Sequence, residues 1–389
     1  MKFFGKIKDN LNIVKHNIIS NHLESIIWLV NILPNRAGFS ILKDKISAPF
    51  WIIHTTLLLY VYGVGSVVYQ IQFAQGAGDF IKSYVNISIL VLTANSSYWF
   101  VMKRPLLLAV LGQVNLNDKL ARATDLLRKK HEKLLSIIKK ILYSFYGFNL
   151  LDAFFIYLPH RLDVSNDYYS MTQCYGLEPL TASPNREICL AILFTQELTI
   201  MTVVLNYQGL LLLIIAHTSA MYEMLSAEML AFDVYDESLE SQLLVRQRLP
   251  SLIRRHALTL SVIKNIKALY SMPFGVNFGS NAVCICLFFY LPLYEWITFA
   301  PVLIYCFLVF FLYCFLCQKL VNSSEIFVDA IYSCGWEKFA LKEKKMIYVM
   351  LLVAHKRIEI LAADIIPVNI YTFAKTLQAI FKFITVVKF

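Results

Sequence analysis

The end of the chain places polar side chains at a fixed spacing within an apolar stretch. Gln378, Lys382 and Val386 are four residues apart and Phe389 follows three residues later, so all four share one face of a helix. A lysine and an amide on one stripe of a terminal membrane helix indicate a water-filled path for ions at a subunit axis. Alternatively, Lys382 only extends its ammonium to the outer membrane interface, about two turns away.

Two acids, Asp152 and Glu197, also lie inside apolar stretches. An acid within the membrane is a functional candidate, because its burial costs free energy that a partner has to offset. Either acid could accept a hydrogen bond from a small ligand or from Tyr84. The alternative is a polar pair that only holds two helices together, and the sequence leaves both readings open.

Sequence patterns typical of catalysis are missing. His131 and Glu132 begin like a zinc-protease motif, but Leu135 stands where the second histidine ligand belongs. Gly63 and Gly65 lie in an apolar run, without the third glycine and the preceding strand of a dinucleotide-binding loop. There is no Walker motif, and the eight histidines are scattered without metal-ligand spacing. We therefore predict that the protein is not an enzyme and binds no metal and no cofactor.

These side chains have to be positioned by membrane helices. The chain has 389 residues, of which 58% are hydrophobic and 16% charged, whereas soluble domains usually carry about 25% charged residues. Seven apolar stretches approach the ~20 residues that cross the hydrocarbon core. They are residues 49–71, 80–101, 141–158, 188–216, 271–291, 296–316 and 360–387. The predicted fold is an all-α membrane protein with seven transmembrane helices, the fifth of which is expected to kink or break at Pro273, Gly275 and Gly279.

The distribution of basic residues predicts the orientation. Segments on the side of the amino terminus hold 30 of the 36 lysines and arginines, in residues 1–45, 103–140, 246–267 and 319–357. The opposite loops hold three, Lys82, Arg161 and Arg186. Because cytosolic loops are the basic ones, the amino terminus is expected in the cytosol and the carboxyl terminus outside the cell. The net charge of +10 is then explained by the basic segments on the cytosolic side of the membrane. The expected partner is therefore the lipid bilayer rather than nucleic acid.

The second outer loop of this topology contains two cysteines, Cys174 and Cys189. It lies in an oxidising compartment, where disulfides persist. The pair is therefore a disulfide candidate, and two unpaired thiols are the alternative, since sequence alone does not give the geometry.

The last residues of the chain, 332–389, resemble the insect odorant receptor family. The shared positions are Tyr332, Cys334, Trp336, Glu337, Lys344, Lys345, Ala354, Arg357, Ala362, Pro367, Phe373, Phe381, Phe383, Thr385, Val386 and Val387. The family commonly has Gln where this chain has His355, Gly where it has Ala363, and tyrosines in place of Phe381 and Phe383. The related gustatory receptors close with a Thr-Tyr…Gln-Phe signature, which this sequence lacks.

The resemblance implies one subunit of a tetrameric, odorant-gated, non-selective cation channel in the plasma membrane of olfactory sensory neurons. Odour-specific subunits of the family assemble with a shared coreceptor, which has an extended second cytosolic loop. This chain lacks such an insertion. It is therefore expected to be an odour-specific subunit that forms a hetero-oligomer with the coreceptor.

The resemblance also divides the single membrane domain, residues 1–389, into parts. Residues 1–48 are expected to form cytosolic amino-terminal helices, 49–316 the six-span ligand-binding bundle, 325–359 a cytosolic anchor helix and 360–389 the pore-lining helix. Tyr332, Trp336 and Lys345 belong to the subunit anchor. Gln378 and Lys382 would line the pore, and the gate would lie near Val386, with Thr385 and Phe389 beside it.

The family's ligand cavity lies in the outer half of the bundle, among spans two, three, four and six. The residues at those places are Tyr84, Ser88, Val91, Phe148, Asp152, Phe155, Phe194, Glu197, Leu198, Met201, Phe299, Leu303 and Tyr305. They are mostly apolar and aromatic. Such a lining suits a small volatile hydrophobic molecule that is oriented by one or two hydrogen bonds.

Other membrane receptors and transporters are the alternatives. A G-protein-coupled receptor has its amino terminus outside, and this sequence lacks Asp-Arg-Tyr after span three and Asn-Pro-x-x-Tyr in the last span. Secondary transporters often pair two broken helices in inverted repeats, whereas only span five has the residues of a break. A gustatory-type channel is a further alternative within the same general class.

Overall fold

The structure is a computed structural model that describes residues 12–43, 48–72, 77–122, 127–154, 174–177, 182–234, 238–289 and 293–387. Its helices are α1 (12–19), α2 (Leu23–Ala37), α3 (Ala48–Leu58), α4 (Ser66–Gln72), α5 (Ala77–Met102), α6 (Arg104–Arg122), α7 (Arg128–Asp152), α8 (Asn185–Leu230), α9 (Leu239–Phe288), α10 (Leu293–Tyr332), α11 (Leu341–Ala354) and α12 (Ile370–Val387). A π-helical stretch, Leu59–Gly65, joins α3 to α4, and 3-10 turns occupy Ala231–Val234 and Trp336–Lys338. Strands β1 (Leu361–Ala362) and β2 (Ile366–Pro367) pair in an antiparallel hairpin.

Four helical stretches in the described ranges are long and apolar enough to cross a membrane. They are Ala48–Val68, Arg128–Asp152, Asn185–Asp233 and Leu303–Lys338, and they overlap the predicted spans one, three, four and six. The described residues of the other three predicted spans lie mainly in α5, α9 and α12. The helical class is confirmed, while the count of seven spans and the cytosolic amino terminus stay predictions.

Helix α8 is the centre of the structure. It packs against α10 along much of its length and also contacts α7, α9 and α5. Residues 205–222 of α8 are all buried. This part of the helix is apolar around most of its circumference, and a helix of this kind is buried by neighbours on every side. The helices that carry the candidate site are therefore fixed around one buried core.

Helix α9 continues past the point where a break was expected. It is helical through Pro250 and Pro273, so the chain does not break in span five, while a kink there stays a prediction. A proline is tolerated in a long helix when neighbouring elements hold the backbone. Phe274, which follows the second proline, is fully buried and packs edge-on against Tyr313 of α10, with the ring centroids 5.1 Å apart.

Both predicted elements near the carboxyl terminus are shorter than expected. The anchor segment 325–359 is divided into the end of α10, a 3-10 turn and α11, because Gly335 adopts a left-handed conformation with φ 71°. The segment 360–389 begins with the hairpin and not with a helix. Ala363 and Asp364 have φ values of 51° and 57°, which are incompatible with a right-handed helix, so α12 begins at Ile370.

Candidate ligand cavity and terminal helix

A cavity of about 140 Å³ lies between α5, α7, α8, α9 and α10. Its lining consists of Ser88, Ile89, Leu92, Thr93, Asn149, Asp152, Ala153, Glu197, Ile200, Met201, Val204, Leu205, Asn281, Cys284, Tyr305 and Cys306. An apolar protein cavity of about 150 Å³ holds a benzene ring. The space is below the roughly 300–1,000 Å³ of a drug-sized site, so it fits a very small molecule.

The structure brings some of the predicted ligand residues together at this cavity and places others elsewhere. Ser88, Asp152, Glu197, Met201 and Tyr305 line it. Tyr84 and Leu303 lie beside it, in a neighbouring apolar cluster. Val91, Phe148, Phe194 and Leu198 are described but do not line the cavity, and the first three expose about two fifths of their surface. Phe155 and the side chain of Phe299 lie outside the described residues.

Several polar groups in the wall present hydrogen-bond acceptors. Glu197 is 1% exposed and accepts a hydrogen bond from the hydroxyl of Tyr62 through Oε1. Asn149 donates from Nδ2 to the carbonyl of Phe145 at 2.6 Å. Its Oδ1 is buried and has no partner among the described residues. The wall thus presents polar atoms whose hydrogen-bonding capacity is not fully used by the protein.

Several lining residues were not predicted from the sequence. Asn149 lies three residues before Asp152 and therefore on the same face of α7, which the helical period alone could have shown. Asn281 and Cys284 come from α9, whose span was not among those expected to build the cavity. No local signal in the sequence identifies them.

One layer of side chains belongs both to the cavity and to the terminal helix. Cys284 of α9 and Cys306 of α10 line the cavity. Both are buried in a cluster that also contains Ile380 and Ile384 of α12. A change in the shape of the cavity wall would therefore act directly on the terminal helix, because protein interiors are close-packed.

The opposite face of α12 has no cover within the described chain. Gln378, Lys382, Thr385 and Val386 are exposed, and Val386 is 77% exposed. Asn369 caps the start of the helix, since its Oδ1 accepts the backbone N–H of Thr372 at 2.8 Å. The predicted stripe of pore residues therefore shares one outward face of an amphipathic helix, except that Phe389 lies outside the described residues.

The predicted anchor residues lie at the surface beside another apolar face. Tyr332 is 67% exposed, Lys345 is exposed, and Trp336 is half-buried against the core. Helix α11 also exposes Tyr348 and Val349, by 63% and 58%. A monomer that exposes this much apolar surface next to a charged residue is typical of a subunit that contacts another protein.

The candidate disulfide residues lie close to each other. Cys174 and Cys189 are both buried in one apolar cluster with Tyr62 and Leu193. The Sγ atom of Cys174 is 3.7 Å from the carbonyl oxygen of Cys189. The disulfide between them stays a prediction.

A buried polar cluster joins α6, α7 and α8. Asp118 Oδ1 lies 2.9 Å from Nε2 of His131 and 3.3 Å from Nε2 of His217, and its Oδ2 lies 3.0 Å from Nε of Arg122. Burial raises the pKa of Asp118, but the hydrogen bonds to the two histidines lower it more, so the net pKa is well below the usual value. The carboxylate is therefore ionised and fixes three helices.

Comparison with known proteins places the chain in a family. The sequence model of the 7tm Odorant receptor family matches residues 77–381. The fold is similar to that of the insect olfactory receptor OR5 from Machilis hrabei, with a TM-score of 0.75 and 13% identity over 94% of this chain and 98% of that one. The same receptor in complex with eugenol gives a TM-score of 0.72 and 14% identity over 94% and 97%. The family expected from the carboxyl-terminal motif is thus confirmed, and the chain belongs to the 7tm odorant receptor family.

Proposed function

We propose that this protein is an odour-specific subunit of a ligand-gated, non-selective cation channel. It assembles with the coreceptor of its family, in a tetramer, in the plasma membrane of olfactory sensory neurons. Its amino terminus lies in the cytosol and its carboxyl terminus outside. A small volatile hydrophobic molecule binds between the helices and opens the pore.

The observation that carries this proposal is the layer shared by the cavity and the terminal helix. Cys284 and Cys306 face the cavity on one side and pack with Ile380 and Ile384 of α12 on the other. A ligand that fills the cavity displaces this layer. Because a packed core transmits a change of volume instead of absorbing it, the displacement reaches α12.

The pore would form where the exposed stripes of neighbouring subunits face each other. Gln378 and Lys382 supply polar groups to its wall. Val386 supplies an apolar ring that closes by excluding water. Thr385 and Phe389 are its neighbours, and a small outward movement of α12 would hydrate the ring.

The size and lining of the cavity support a small, mostly apolar ligand. Such a ligand gains affinity from burial of its surface, and a few polar contacts orient it. The related receptor that was solved in complex with eugenol supports the same class of molecule for this chain. One methylene group changes affinity by about 1–3 kcal/mol at most, so selectivity among homologous molecules is modest.

The test is a recording of ligand-evoked current in cells that express the full chain with the coreceptor and no added G protein. A panel of volatile esters, terpenoids and aromatic molecules should evoke cation current. Val386→Glu should make the pore leaky or change its conductance, whereas Val386→Leu keeps an apolar ring and closes normally. Unchanged permeation in Val386→Glu would remove this residue from the gate. Current that depends on a G protein, or stoichiometric uptake of the ligand, would refute the channel.

A further inference from the structure

The charged groups of the cavity wall are all of one sign. Asp152 and Glu197 line the cavity, and the described lining contains no lysine, arginine or histidine. Most of the remaining lining is apolar, with residues such as Leu92, Ile200 and Val204. A carboxylate in such surroundings is unfavourable unless a cation or several hydrogen bonds accompany it. The cavity wall therefore holds two acidic side chains, and none of its described residues offers them a positive charge.

The two acids differ in their availability to a ligand. Glu197 is 1% exposed and is already bonded by the hydroxyl of Tyr62. Asp152 is half-buried at the end of α7. It forms no ion pair with any residue in the described part of the chain. Asp152 is thus the acid that can receive a group from outside the protein.

A second acceptor lies on the same helix face as Asp152. Asn149 precedes it by three residues, is 4% exposed and lines the cavity. Its amide nitrogen is bonded to the backbone carbonyl of Phe145, which fixes the orientation of the amide. The Oδ1 atom has no partner among the described residues and can only accept. The hydroxyls of Ser88 and Thr93 of α5, which are at most 5% exposed, and the amide of Asn281 of α9 are further polar groups of the lining.

We propose that the cavity selects a small apolar amine, whose ammonium group is received by Asp152 and Asn149. An ammonium carries positive charge and three hydrogen-bond donors, which matches a carboxylate and an adjacent amide oxygen. An alcohol offers one donor and no charge, and an ester or aldehyde offers only acceptors. This inference rests on the proposed function, because it names the class of ligand for the same cavity.

The size of the cavity limits the apolar part of that amine. A volume of about 140 Å³ accepts one aromatic ring or a short alkyl chain. Met201, Val204 and Leu205 of α8 supply apolar surface to the same cavity. A primary amine with one ring and a short linker satisfies both the volume and the polar groups.

The test compares ligands that share one apolar body. 2-Phenylethylamine, 2-phenylethanol and phenylacetaldehyde are applied to cells that express the full chain with the coreceptor, and the half-maximal concentration for evoked current is measured. The amine should be at least about tenfold more potent than the other two, since a hydrogen bond to a charged group is worth about 10- to 100-fold in affinity. N-acetyl-2-phenylethylamine, which has lost the charge, should lose this advantage without any change to the protein.

Two variants of the receiving site and one control identify the residues responsible. Asp152→Asn should raise the half-maximal concentration of the amine by about 10- to 100-fold and leave that of the alcohol within about threefold. Glu187→Gln, which changes an exposed acid in the first turn of α8 away from the cavity, should change none of them. Asn149→Leu provides a second variant of the receiving site and should also weaken the amine selectively.

The possible outcomes separate this inference from the proposed function. Equal potency of amine and alcohol, an equal loss for all ligands in Asp152→Asn, or no response to the amine would each overturn the amine proposal. If esters or terpenoids still evoke current in those cases, the channel function stands. If no volatile of any class evokes current while the chain reaches the cell surface with the coreceptor, both proposals fail.

Discussion

Replacement of Gly275 by alanine tests how the hairpin before the terminal helix is fixed to the bundle. A Cβ atom at this position of α9 would lie 2.6 Å from Cβ of Ala363 and 3.1 Å from its backbone nitrogen. Carbon atoms that are not bonded prefer about 3.5–4.0 Å. The hairpin would have to retreat by about 1 Å, but Ser271 holds it. The Ser271 carbonyl accepts the N–H of Ala363 at 2.8 Å, and its hydroxyl accepts the N–H of Asp364 at 2.8 Å.

The expected magnitude follows from two opposing contributions. Overpacking of a well-packed site costs about 1–3 kcal/mol, and alanine stabilises a helix interior by about 1 kcal/mol relative to glycine. Gly279→Ala is the matched control, because Gly279 lies one turn further along α9 and has no atom within 4 Å of its added Cβ. The free energies of unfolding of the two variants should therefore differ by about 1–3 kcal/mol.

The assay is thermal unfolding of each purified full-length variant in the same detergent. Gly275→Ala should unfold at a lower temperature than the unsubstituted chain, and Gly279→Ala at the same or a higher one. Since the hairpin leads into α12, Gly275→Ala should also reduce evoked current at equal surface expression. Equal unfolding temperatures of the two variants would show that the hairpin does not lie against Gly275.

Two further pairs of substitutions, each with its own control, test the packing of buried groups. Burial lowers the pKa of His256 to about 4, against about 6.5 in an unfolded chain. As the pH falls, this histidine is protonated in the unfolded state before it is protonated in the folded state. Its contribution to the free energy of unfolding is therefore fully present above pH 6.5 and falls by up to about 3 kcal/mol as the pH drops to 4. His256→Phe should flatten this dependence in unfolding measured at several pH values, whereas His355→Phe, at an exposed position, should not. An added Cβ at Gly209 would overlap the hydroxyl of Tyr146, so Gly209→Ala should lower the unfolding temperature. Gly112→Ala should not, because no atom lies within 4 Å of its added Cβ.

The helical class could be predicted because length and hydrophobicity are local properties of a sequence. Apolar runs of membrane length identify helices whatever their neighbours are. Helix ends are different, since an apolar run and a helix need not stop together. Helix α8 extends over Asn185–Leu230, well beyond the apolar run 188–216, because residues such as Tyr222 continue into a packed interface with Phe327 of α10. Pro273 suggested a kink or a break, and the helix continues through it.

The cavity was only partly predictable, because the hydrophobicity of a membrane helix does not show which of its faces points toward the protein interior. Apolar side chains face lipid as well as the protein interior. Val91 and Phe194 look as suitable as Met201 in the sequence, yet the first two point outward and the third lines the cavity. The polar residues gave a better signal, since Ser88 and Glu197 have to avoid lipid and both lie in the wall.

The departure from the family motif at Ala363 gives the hairpin prediction a second, independent test. The family commonly has glycine there, and the structure shows why, since Ala363 has a φ of 51° and an L-residue in the left-handed region costs about 1–2 kcal/mol. The Cβ atom that causes this strain is the same atom that an alanine at Gly275 would meet. Ala363→Gly should therefore reduce the cost of Gly275→Ala, because only the contacts with the backbone nitrogen at 3.1 Å and with Cα at 3.3 Å then remain. In a double-mutant cycle the two changes should be non-additive by about 1 kcal/mol or more. If the two effects simply add, the residues are not in contact.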